Sequence, residues 1–71
     1  LLLVVKTKYL KYMIANSEHG NQTALAAFLN MDEGQLSKYV NGRLVPGVAA
    51  INRLCGALEC QPGDLLTYEP D

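Results

Sequence analysis

The side chains with the most chemistry to offer fall between positions 22 and 43: Gln22, Glu33, Gln35, Ser37, Lys38, Asn41 and Arg43. Amides, hydroxyls and cationic heads of this kind suit hydrogen bonding to phosphates and base edges, where Lys and Arg neutralise charge and Gln or Asn matches donor and acceptor pairs. They do not suit catalysis. No nucleophile stands beside a base, and no glycine loop has the spacing that cradles a nucleotide phosphate. Cys55 and Cys60 are too far apart for a C-x-x-C pair, and His19, the single histidine, has no companions with which to hold a metal. The expectation is a binding module, not an enzyme, with no cofactor and no metal.

Composition bounds what can surround these residues. The chain has 71 residues, room for one domain over residues 1–71 with a modest core. Nearly half of them are apolar and only 18% are charged, which favours a folded chain. The net charge of −1 lacks the basic excess usual for a nucleic-acid binder. What matters then is where Lys6, Lys8, Lys11, Lys38, Arg43 and Arg53 sit, because a small basic stripe can serve phosphates while acidic residues occupy other faces. The apolar run at residues 1–5 is far too short to span a bilayer. Two cysteines are too few for a secreted disulfide scaffold, so reduced thiols and a cytoplasmic location are expected.

The elements that must position the site can be read from periodicity and punctuation. Tyr9, Leu10, Met13 and Ile14 repeat at helical spacing over residues 6–16, and a polar stretch ending at Gly20 breaks that helix. Asn21 is suited to cap a second helix over residues 22–29, with Leu25, Phe28 and Leu29 on its apolar face. Asn30, Met31 and Asp32 make a turn in which Asn30 takes the left-handed conformation, and Asp32 with Gln35 forms a capping box. A third helix over residues 33–41 carries Leu36, Tyr39 and Val40 inward and stops at Gly42. Val48, Ile51, Leu54, Cys55 and Leu58 line a mostly buried fourth helix, with Cys55 in the core. Pro62 opens a short fifth, where Asp64 complements the helix dipole and Leu65 and Leu66 close the core. Residues 1–5 stay open between a short strand and a disordered or partner-packed lead-in. The expected core is Leu10, Met13, Ile14, Leu25, Leu29, Leu36, Val40, Ile51, Leu54 and Leu58, with Tyr9 and Tyr39 beside it.

Two short helices joined by a three-residue turn over residues 22–42 define a helix-turn-helix, and Ala26 supplies the small residue needed where they touch. At Gln22, Ala26, Leu36, Ser37, Gly42, Pro46 and residues 54–58 the sequence resembles the Cro and lambda-repressor (XRE-type) regulators. The likeness covers residues 6–66, and residues 54–66 are similar to a subgroup of small stand-alone regulators. It implies an all-α fold of five helices, a sequence-specific transcriptional regulator of double-stranded DNA, and a recognition helix over residues 33–41 in the major groove. By the same resemblance Gln22 bonds a phosphate or base, Glu33, Gln35 and Lys38 face bases or the groove wall, and Ser37, Asn41 and Arg43 position the backbone. The sequence departs from the family pattern in three places: Asn30 where the family prefers Gly, the acidic pair Asp32 and Glu33, and Gly34 in the first turn. Glu33 can still accept a hydrogen bond from a cytosine amino group.

A domain this small, with few phosphate contacts, is expected to act as a homodimer, with residues 1–5 as the contact. The alternative is a protein-interaction module on the same fold, such as an antitoxin or adaptor, whose acidic balance suits a basic partner. Convergence of Lys38, Arg43 and the N-terminal lysines on one face separates the two.

Overall fold

Residues that cap or break helices set the boundaries in this chain, and the computed structural model, which describes residues 2–70, shows how. The order is β1 (Leu2–Val5), α1 (Thr7–Ala15), α2 (Gln22–Leu29), α3 (Glu33–Val40), α4 (Val48–Leu58), α5 (Pro62–Leu65) and β2 (Leu66–Glu69). The five helices are those expected. Leu1, part of the expected N-terminal run, lies outside the described residues.

Asn21 Oδ1 accepts from the Ala24 N–H at 2.8 Å and caps α2. Asp32 Oδ2 does the same for α3, accepting from the Gln35 N–H at 3.1 Å. Only this half of the expected box is made, because the Gln35 amide turns toward Tyr39. Helix ends follow one pattern. Asn30 adopts φ 52° and Gly42 φ 76°, and in each case the chain folds back so that Met31 donates to the Ala26 carbonyl and Arg43 to the Lys38 carbonyl, both at 2.9 Å. These are left-handed caps that satisfy carbonyls a helix end would otherwise leave bare. Glu59 does likewise for α4 at φ 54°, with Cys60 donating to the Cys55 carbonyl at 3.1 Å.

Eleven hydrophobic residues form the core: Val5, Leu10, Ile14, Leu25, Ala26, Leu29, Leu36, Tyr39, Val40, Leu54 and Leu65. Several expectations are corrected here. Met13, Ile51, Leu58 and Cys55 are only half-buried, and α4 sends Leu54 alone fully inside. Val48 is 76% exposed because it sits in the first turn of α4, ahead of the part that packs on the rest of the core. Tyr9 is also exposed: Leu10 takes the inward position while the Tyr9 ring stacks on Tyr12 at 6.4 Å under the Lys6 ammonium. Phe28 is 63% exposed and lies against the His19 ring, with centroids 4.5 Å apart. Helical spacing had placed it with Leu25 and Leu29, but only those two reach the core.

Residues 2–5 form the short strand that the sequence left open, not a disordered lead-in. β1 pairs antiparallel with β2, in the register Leu2↔Glu69, Leu3↔Tyr68, Val4↔Thr67 and Val5↔Leu66. Leu66 caps α5 through its N–H to the Pro62 carbonyl and begins β2, with φ −128° and ψ 147°; Leu65 is buried in the core as expected, whereas Leu66 packs against it only half-buried. Lys6 N–H donates to the Leu65 carbonyl at 2.7 Å and locks the ribbon to the start of α1.

Candidate nucleic-acid interface

In α3 the buried residues Leu36, Tyr39 and Val40 hold one side of the helix against the core. At 3.6 residues per turn the opposite side is centred on Gly34, Lys38 and Asn41, all exposed, with Ser37 beside them. Glu33 and Gln35 occupy the two flanks. The helix thus presents a polar face with a bare glycine in its first turn.

The side chains around that face are held in place. Thr23, in the first turn of α2, donates from Oγ1 to the Glu33 carboxylate, 2.9 Å from Oε2 and 3.1 Å from Oε1. Gln35 Nε2 donates to the Tyr39 hydroxyl at 2.9 Å. Asn41 Nδ2 donates to the Ser37 carbonyl at 2.9 Å and to Ser37 Oγ at 3.1 Å. Lys38 and Arg43 are exposed, and the Arg43 N–H closes the end of α3 on the Lys38 carbonyl. Glu33 in the first turn and Lys38 in the last both match the helix dipole.

Gln22, Thr23, Glu33, Gly34 and Ser37 together line an open groove of about 500 Å³ between α2 and α3. Three of the seven expected site residues, Gln22, Glu33 and Ser37, meet there. Lys38, Asn41 and Arg43 continue along the exposed side of α3 and its cap, and Gln35 turns to the far flank. Thr23, not singled out from the sequence, joins them through Glu33. Lys11, one of the cations whose placement was in question, lines an adjoining groove with Gly20, Asn21, Gln22 and Val40.

The N-terminal lysines do not all converge. Lys11 comes to the start of α2, whereas Lys6 and Lys8 border a groove with Tyr9, Thr67 and Glu69 at the ribbon. Spacing could have hinted at this, because Lys11 shares a helical face with Ala15, which leads into the breaker before Asn21.

A family model for the Cro/C1-type HTH DNA-binding domain matches residues 9–71. The chain belongs to this family, whose members bind DNA, generally in transcription regulation, and are typically not enzymes. No curated protein and no solved structure matches it. Among the described residues no helix is long and apolar enough to cross a membrane.

Proposed function

We propose that the protein is a sequence-specific transcriptional regulator that binds double-stranded DNA as a homodimer, with α3 laid in the major groove. The observation that carries this reading is the exposed polar face of α3, set beside Gln22 and Lys11 at the start of α2. In this reading Glu33 and Gln35 discriminate bases, and Lys38 contributes mainly backbone affinity. Gln22, Ser37, Asn41 and Arg43 fix the register through phosphates, as positioning contacts do. DNA binding accords with the cytoplasmic location expected from its cysteines.

The dimer answers the shortage of cations. Two copies on half-sites about one helical turn apart double the phosphate contacts that a single copy offers. Leu2, Leu3 and Tyr68, exposed on the ribbon, offer an apolar surface for it. The adaptor reading is favoured by two observations: Lys6 and Lys8 lie at the ribbon and not on the α3 face, and Phe28, Leu44, Val45 and Val48 are exposed, which a protein partner could cover.

Selection of bound sites from random duplexes, followed by titrations of the selected and a random duplex over a range of salt, tests the proposal. The expected result is a two-fold consensus and a salt-dependent affinity, with Lys38→Ala weakening both duplexes and reducing the salt slope by about one unit. Absence of any consensus, together with no effect of Lys38→Ala, overturns it in favour of the adaptor.

A further inference from the structure

The contact between Thr23 and Glu33 joins the first turns of α2 and α3 through side chains that are both exposed to solvent. Neither helix needs it for a cap, because Asn21 caps α2 and Asp32 caps α3. Its effect is to fix a carboxylate. A hydroxyl has one proton to give, whereas an ionised carboxylate has about four acceptor sites, so most of the acceptor capacity of Glu33 stays open to the groove. Gly34, next along α3, places no side chain in front of it. Two helix N-termini lie close by, and their partial positive charge offsets the carboxylate near phosphates.

We infer that Thr23 is a positioning residue for base readout: it holds Glu33 as a hydrogen-bond acceptor aimed at an exocyclic amino group, so that the base facing Glu33 is read as cytosine. The inference rests on the reading of α3 as the helix in the major groove. The chemistry of base edges makes the choice. Guanine and thymine offer only acceptors to a carboxylate there, and both are repelled. Adenine carries an amino group beside the N7 acceptor, a pair that suits the mixed donor and acceptor of Asn or Gln and leaves a carboxylate facing N7. Cytosine presents its N4 amino group without that neighbour. The bond from Thr23 keeps the carboxylate from swinging away along the helix, and so converts an unfavourable charge into a selective one.

The test is site selection from random duplexes with the full chain and four variants: Thr23→Val, which keeps shape and loses the hydroxyl, Thr23→Ser, which keeps the hydroxyl, Glu33→Gln, and Lys38→Ala. Thermal denaturation of each variant confirms folding, and Val differs little from Thr in helix propensity. The expected result is one strongly preferred cytosine per half-site in the parent. Thr23→Val reduces that preference roughly fivefold or more, within the range of a base contact worth about 1–3 kcal/mol, and leaves the other positions unchanged. Thr23→Ser retains the preference, and Glu33→Gln moves it toward adenine. An unchanged preference in Thr23→Val, or equal loss in Thr23→Ser, overturns the inference. If Lys38→Ala still weakens binding in that case, only the role of Thr23 has failed. If Lys38→Ala is silent as well, the assignment of α3 has failed with it.

Discussion

Gln35 donates its side-chain amide to the Tyr39 hydroxyl, 2.9 Å away and one turn further along α3. The Tyr39 ring is buried under the helix, so its hydroxyl acts as a fixed anchor for a half-buried side chain at the edge of the exposed face. One amide proton and the carbonyl oxygen of Gln35 remain for a partner. Tyr39→Phe should lower stability by about 0.5–1.5 kcal/mol in urea denaturation, the usual net value of one hydrogen bond. It should also weaken the preferred duplex more than a random one, because Gln35 then has rotamers to lose on binding. Equal weakening of both duplexes would remove Gln35 from base discrimination.

Gly34 and Asp32 are coupled by space. A Cβ built on Gly34 meets Asp32 Oδ2 at 2.9 Å, and that oxygen is the acceptor that caps α3. Gly34→Ala therefore gains up to about 1 kcal/mol of helix propensity and loses a cap worth about 1 kcal/mol, for a net change near zero. In an Asp32→Ala background the same substitution should stabilise by about 1 kcal/mol. Denaturation of the two single variants and the double variant reads this directly, and additive effects would show that the cap carboxylate moves aside without cost.

Glu59 occupies the left-handed end of α4, at a φ of 54° that costs an L-residue roughly 1–2 kcal/mol. Glu59→Gly should recover part of this, about 1 kcal/mol after the entropy that glycine loses on folding. For a domain of this size that is a rise of roughly 4–8 °C in Tm. A lower Tm would mean that the Glu59 side chain holds the helix end by contacts stronger than the backbone preference.

The ionisation of the Cys60 thiol is displaced upward. Burial first, then the neighbouring Cys55 thiol and the Asp64 carboxylate, push it from 9.0 up to about 11. The neutral thiol is the form the fold favours, so its contribution to stability is complete below about pH 9 and is lost as pH rises through about 11. Cys60→Ser should flatten that part of the stability profile relative to the parent. Thiol-reagent labelling of native Cys60 should be slow near pH 8 and speed up on unfolding, since the thiolate is the reactive form. Rapid native labelling would contradict the displaced ionisation.

Local chemistry made α2, α3 and the turn between them legible. Asn21, Asn30, Asp32 and Gly42 each act within a few residues of themselves, so their types and positions suffice. β2 was hidden for the opposite reason. The segment Leu66–Glu69 has no strong strand signal of its own and becomes a strand by pairing with residues at the other end of the chain. Phe28 and Val48 have correct helical spacing, but spacing does not say how far the neighbouring helices reach. In the candidate site the residue types of α3 could be read, whereas Thr23 could not, because its part depends on how α2 and α3 cross.

The ribbon that pairs Leu2 with Glu69 also orders the steps of folding. Its strands lie almost a full chain length apart in sequence, so bringing them together in an unfolded chain closes a very long loop, and that entropy falls due before any strand contact forms. The helix-turn-helix involves only near neighbours. Folding is therefore expected to start at α2 and α3, with the ribbon zipping last, once the helices have drawn its two strands side by side. On the reverse path the ribbon is expected to fray first, while the surface presented by α3 stays intact.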